Sequence, residues 1–287
     1  MLNGIHPHIH LFLPSSDPTI QLEARLYLPL PIHAPLALPI TTNIHDPYTN
    51  PPLHYDKMGQ EVTNTIKGLG VERLVVAAHP WGRLGGNMLD PILLRLVSAV
   101  FNPLEVDSQA PTSLPDRSSP PPKTAALTYN VRGVGCSQGS QPWLGVGYDP
   151  ADFAHIEKLS TEILGSVKEV YRFARLGYSW GSLAVTLAPR SPLLKRIFLV
   201  SPPITFFAAI TYFSKPNFKT AINNLLDQQI HLKMIYGTRD EFTTASVFHS
   251  IGQDTRLLEK CQVDEGDHLY RGDYGEILRK EIEKWLG

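Results

Sequence analysis

Val170-Tyr171-Arg172-Phe173-Ala174-Arg175-Leu176 runs directly into Gly177-Tyr178-Ser179-Trp180-Gly181, and a helix-like stretch, Ser182 to Leu187, follows. Val170 to Leu176 reads as an apolar run and so as a buried strand. A strand, then Gly-x-Ser-x-Gly, then a helix is the layout of a nucleophile elbow. A serine hydroxyl is a weak nucleophile and must be held exposed on a sharp turn where a base can take its proton. The flanking glycines permit the strained turn and close packing of helix on strand. In a chain with 21 glycines the pentapeptide alone carries little. Its setting between strand and helix carries more.

Working outward, short apolar strands alternate with helical patterns. Strands are predicted over Ile20 to Leu28, Arg73 to Ala78, Ala125 to Tyr129, Arg196 to Val200, His231 to Tyr236 and Cys261 to Val263. Helices are predicted over Pro91 to Phe101, Phe153 to Leu164 and Tyr274 to Leu286. Such alternation points to a mostly parallel sheet covered by helices on both faces. Residues before Ile20 read as a tail. Residues 29–55 hold seven prolines, which forbid a long helix and disfavour a central strand. A second Pro-rich stretch, 102–123, holds six. Both are expected to be surface excursions, the second emerging far from the carboxyl ends of the strands. With no repeat and no linker between two cores, residues 1–287 read as a single domain.

Composition removes several functions. Lys+Arg is 26 against Asp+Glu 27, a formal charge of −1, so no basic field exists to attract nucleic acid. Two cysteines, Cys136 and Cys261, exclude a disulfide scaffold and suit a reducing compartment. The N-terminus lacks the charged and apolar regions of a signal peptide, and no stretch is long and apolar enough to span a bilayer. A cytoplasmic protein of unknown oligomeric state, with no integral membrane segment, is the expectation.

Downstream of Ser179, two further signals follow predicted strands. Gly237-Thr238-Arg239-Asp240-Glu241-Phe242 comes after His231 to Tyr236, and Asp264-Glu265-Gly266-Asp267-His268 comes after Cys261 to Val263. The chain order is Ser, acid, His, and each candidate lies past the carboxyl end of a strand, where all three can converge. Asp240 is favoured over Glu241, Asp254, Asp264 and Asp267 by its place after Gly237. His268 stands out among 11 histidines by its place after Gly266-Asp267 near the C-terminus.

On these residues the chain resembles an α/β-hydrolase with a minimal cap. More narrowly it is similar to predicted hydrolases whose oxyanion loop begins His-Pro. The matching segments are His79-Pro80-Trp81-Gly82 with Gly85-Gly86, Tyr129 to Gly139, Gly177 to Gly181, Gly237 to Asp240, and Gly266 to His268. They lie in the family's order over roughly residues 70 to 272, which the α/β-hydrolase strand plan requires. The resemblance implies a serine hydrolase in which Ser179 attacks, His268 is general base and Asp240 orients the imidazole. The N–H groups of Trp180 and Trp81 would form the oxyanion hole, since Pro80 has none to give. His79 is expected to fix that loop. Arg132 would support loop backbone, with an anion-binding role as the alternative. Cys136 reads as a small packing residue. Gly133-Val134-Gly135 lacks the spacing of a dinucleotide fingerprint, and no metal-ligand set is legible, so neither cofactor nor metal is called for.

The substrate is the least legible part. About 30 residues separate Pro203 from His231, too few for a large cap domain. Phe206 and Phe207 lie in an aromatic segment that either packs in the core or, with Trp81, forms an apolar wall for an acyl group. The preferred expectation is hydrolysis of a carboxylic ester of a small to medium apolar acyl group. A serine aminopeptidase-like or thioester hydrolase is the alternative within the class. A non-catalytic hydrolase-fold binding protein is the alternative outside it.

Overall fold

The computed structural model describes residues 7–30, 53–101, 122–142, 146–175, 180–202, 218–251 and 256–287. Nine strands form one sheet: β1 (Ile9–Pro14), β2 (Gln21–Tyr27), β3 (Leu53–His54), β4 (Arg73–Ala78), β5 (Thr124–Tyr129), β6 (Glu169–Arg175), β7 (Leu194–Val200), β8 (His231–Gly237) and β9 (Leu258–Val263). Their spatial order is β3-β1-β2-β5-β4-β6-β7-β8-β9. From β5 to β9 all neighbours are parallel, while β2 runs antiparallel to both β1 and β5.

β4 shows why the sequence folds this way. Leu74, Val76 and Ala78 point into one core and Val75 and Ala77 into the other, so an unbroken apolar run is required. The first core is covered by α1 (Gln60–Gly68), α3 (Asp149–Leu164), α4 (Trp180–Leu187), α5 (Phe218–Asp227) and α6 (Ala245–His249). The second is covered by α2 (Pro91–Phe101) and α7 (Tyr274–Leu286), whose Leu93, Leu96, Leu278, Ile282 and Trp285 face the sheet. α2 begins where Asp90 Oδ1 accepts the Ile92 N–H at 2.9 Å, a side-chain cap.

From β4 the chain crosses to β5 on one side, then returns past β4 to β6 and onward on the other. Such a reversal opens a crevice at the carboxyl ends of the strands. The loops that begin with His79, Asn130, Ser201, Thr238 and Asp264 all leave from that edge.

Several expectations need correction. The N-terminal tail contains β1, which buries Ile9, Leu11 and Leu13 at period two; its histidines and prolines disguised the alternation. α3 starts four residues before the predicted Phe153, because Pro150 in the first turn is a helix starter. The apolar run before the elbow holds Arg172, which is fully buried. Helices α1 and α6 were not anticipated, while α5 lies between Pro203 and His231, where the spacing leaves room for one or two helices. Most of the first Pro-rich excursion and 102–121 of the second lie outside the described residues. The chain re-enters at the amino edge of the sheet, where the Lys123 carbonyl accepts N–H groups of Glu72 and Arg73.

Candidate active site

The loops after β8 and β9 are locked together by backbone. A Cβ on Gly237 would lie 2.0 Å from the Gly266 carbonyl oxygen, so only glycine allows this approach. Arg239 N–H donates to Gly266 O and Thr238 N–H to Val263 O, both at 3.0 Å. Asp240 is thereby held at the loop tip, where its Oδ1 accepts the N–H groups of Phe242 (2.9 Å) and Thr243 (3.1 Å). Its Oδ2 lies 2.8 Å from Nδ1 of His268. The side chain of Asp240 is sealed from solvent and that of His268 is 2% exposed. The Phe242 ring packs 4.5 Å from the imidazole, centroid to centroid.

An ionised carboxylate can only accept, so Nδ1 carries the proton and Nε2 presents a lone pair. Among the described residues Nε2 has no hydrogen-bond partner. Two of the rival acids are engaged elsewhere: Asp264 with Gln262, and Asp267 with the N–H groups of Leu269 and Arg271. Asp254 lies outside the described residues. Beside the pair, the Tyr270 hydroxyl lies 3.2 Å from Ser201 Oγ, and burial first of all pushes the phenol pKa up. Tyr270 and Ser201 both adopt positive φ, 49° and 48°. Neither was singled out from sequence, since a buried Tyr and a strand-end Ser carry no motif.

At the end of β4, His79 is buried with both ring nitrogens in use. Nε2 accepts the Val131 N–H at 3.1 Å, so the proton is on Nδ1, which donates to the Pro80 carbonyl. Burial holds the imidazole neutral, with its pKa lowered to about 4. The loop then turns through Trp81 and a 3-10 turn, Gly82–Leu84. A Cβ on Gly86 would strike the Pro80 carbonyl at 2.2 Å, so the turn demands that glycine. Arg83 donates to the carbonyls of Gln141 and Pro142, tying this loop to the one after β5.

Ser179, with Leu176 to Tyr178, lies outside the described residues, as do Phe206 and Phe207. α4 begins at Trp180, so that N–H belongs to the first helical turn, where no intrahelical acceptor exists. Beneath α4, the Arg172 guanidinium donates to both Glu157 oxygens (2.7 and 3.1 Å). Its other donors reach the carbonyls of Val185, Ala188 and Pro189 at 2.7 to 3.2 Å. A cation here also complements the helix C-terminus.

Arg132 has a structural setting and not an anion-binding one. It forms a fork on Asp152 (2.7 and 2.9 Å), donates to Ser15 Oγ, and lies under the Tyr148 ring. Cys136 is not a packing residue: it is exposed, because the loop is organised by backbone around Glu23 and needs no side chain there. Burial raises the Glu23 carboxyl, but His10, the Cys136 N–H and Asn130 donate to it and leave its pKa below the usual value. Among the described residues no group of His, Cys, Asp or Glu could hold a metal, and no helix is long and apolar enough to cross a membrane.

No protein-family profile and no curated protein sequence matches the chain. Solved structures do. An alpha-beta serine hydrolase homologue from Coxiella burnetii superposes with a TM-score of 0.60 at 14% identity, covering 98% of each chain. A serine hydrolase without lid from Xanthomonas campestris gives 0.58 at 14%, covering 99% of this chain and 98% of its own. An esterase from Pyrococcus furiosus gives 0.56 at 12%, covering 97% and 92%. The chain has the α/β-hydrolase fold.

Proposed function

We propose that the chain, as one α/β-hydrolase domain, is a serine hydrolase of the His-Pro-loop type. It cleaves a carboxylic ester of a small to medium apolar acyl group through an acyl-enzyme. The observation that carries this is the His268 Nε2 lone pair, buried and without a partner among the described residues, with Nδ1–H fixed on Asp240. A histidine so held has one task left, to accept a proton from a group brought against it. Gly-x-Ser-x-Gly supplies that group as Ser179. Its Oγ attacks the acyl carbon as Nε2 takes the proton, and the N–H groups of Trp180 and Trp81 receive the oxyanion. Nε2 returns the proton to the leaving alkoxide. Water then repeats the sequence on the acyl-enzyme, releasing the acid and regenerating Ser179.

Support for an ester comes from the fold's company, which includes an esterase and a hydrolase without lid. Trp81, Phe206 and Phe207 are proposed as the apolar wall for the acyl group. The test is labelling by a fluorophosphonate probe together with hydrolysis of a short p-nitrophenyl ester. Wild-type protein is expected to take one label and turn over the ester, and Ser179→Ala to do neither. Wild-type protein that takes no label would sink the proposal.

A further inference from the structure

Two buried polar atoms without a hydrogen-bond partner among the described residues, His10 Nδ1 and Arg25 Nε, lie side by side on one face of the sheet. His10 pairs with Arg25 across β1 and β2, and Arg25 pairs with Thr128 across β2 and β5. Tyr27, two residues along on the same face, hydrogen-bonds Thr128 and Arg25 through its hydroxyl. Folded chains satisfy nearly all buried polar groups, so the two atoms left open ask for a missing partner.

His10 and Arg25 border a cavity of about 420 Å³, within the usual range of small-molecule sites. His10, Glu23 and Arg25 line it from the sheet, and the loop bearing Gly82, Met88 and Leu89 faces them. Arg25 is 7% exposed and forms no ion pair with any described carboxylate. Glu23 is no counter-ion for it. One Glu23 oxygen takes His10 Nε2 at 2.9 Å, and the other takes Asn130 Nδ2 at 2.7 Å and the Cys136 N–H at 2.8 Å. Arg25 therefore lines the cavity with no described carboxylate against its charge.

We propose that this cavity binds a small organic monocarboxylate, held in the Arg25 fork with its body against Met88, Leu89 and Val134. A planar guanidinium matches a carboxylate through two parallel hydrogen bonds. A single fork beside the fixed Glu23 carboxylate favours one negative charge over the two of phosphate. The apolar stretch of Met88, Leu89 and Val134 suits an organic body. The site uses none of Ser179, Asp240 or His268 and stands or falls apart from the hydrolase proposal.

Cys136 supplies the readout, since its exposed thiol lines the same cavity. Wild-type protein is alkylated with iodoacetamide in the presence of phenylacetate, hexanoate, phenylacetamide or inorganic phosphate, and modification of Cys136 is followed by peptide mass spectrometry. Saturable protection by the carboxylates is expected, with none from the neutral amide. Arg25→Gln should raise the half-protecting concentration about tenfold or more, as loss of a charge-assisted fork does. Arg25→Lys, which keeps the charge without the fork, should fall between. Absent protection of wild-type protein, equal protection by phenylacetamide or by phosphate, or unchanged protection in Arg25→Gln would each overturn the site. Because the acid and amide are compared on wild-type protein, a variant that misfolds does not leave the question open.

Discussion

His79 and His268 are both buried, both follow strands at the carboxyl edge of the sheet, and both carry their proton on Nδ1. They differ in the second nitrogen. In His79 it accepts the Val131 N–H, so the ring joins two loops and has nothing left to offer. In His268 it has no partner among the described residues. Two strand arginines repeat the contrast on opposite faces of the sheet. Arg172 uses all five donors on Glu157 and three carbonyls, whereas among the described residues the Arg25 charge meets no carboxylate. A buried polar group whose valences are filled is framework. One with a valence left over is where chemistry or a ligand enters.

The largest expected effect is at the unfilled histidine. Asp240→Asn keeps an oxygen for the Phe242 and Thr243 N–H groups but no longer fixes the proton on Nδ1. Turnover of a p-nitrophenyl ester should fall by about four orders of magnitude, the usual cost of a wrong tautomer. The urea midpoint should move much less. An Asp240→Asn protein retaining a tenth of wild-type turnover would show that the pair is framework too.

Next comes the filled arginine. Arg172→Met strands the Glu157 carboxylate and three carbonyls at the end of α4. Breaking a buried pair from one side costs about 3–5 kcal/mol, to be read from urea denaturation. Arg172→Met with Glu157→Leu should recover part of that loss, because the stranded carboxylate is gone. No recovery in the double variant would place the cost in the helix carbonyls instead.

These contrasts also mark what the sequence could show. Asp240 and His268 were legible because β8 and β9 are continuous apolar runs whose ends can be read, and a triad order is a pattern along the chain. The elbow is read in the same way, and Ser179 lies outside the described residues. Arg172 was not: a charge inside an apolar run is noise until its partner, fifteen residues earlier on α3, is brought against it. Arg25 was hidden differently. IQLEARLYL alternates as a half-exposed strand does, so Glu23 and Arg25 read as solvent-facing. Only the loops after β4 and β5, folding back over that face, bury them. Cys136 failed in the opposite sense, since composition favours burial and local backbone overrides it.

His79 makes the filled state visible in pH. Its pKa is about 4 in the folded protein against an ordinary 6.5. Between those values the unfolded chain binds the extra proton and the folded one does not, so stability falls as pH drops. The contribution is complete above pH 6.5 and is lost by about pH 4, roughly 3 kcal/mol in all. Urea midpoints at pH 7, 5.5 and 4 should show this drop in wild-type protein and a shallower one in His79→Gln. Parallel curves would mean that His79 has access to solvent.

The smallest effect is expected at the unfilled arginine, and its sign is informative. Arg25→Met removes a buried cation that answers no described carboxylate and leaves the Glu23 hydrogen bonds to His10, Asn130 and Cys136 in place. With no carboxylate stranded, and the Tyr27 hydroxyl still held by Thr128, stability should change by less than about 1 kcal/mol, in the stabilising direction if at all. Set beside Arg172→Met under the same urea conditions, the two substitutions are identical in chemistry and alike in burial. They should nevertheless differ severalfold in cost. A loss at Arg25 as large as that at Arg172 would mean its guanidinium already has an internal carboxylate partner, and the cavity would then need no ligand to complete it.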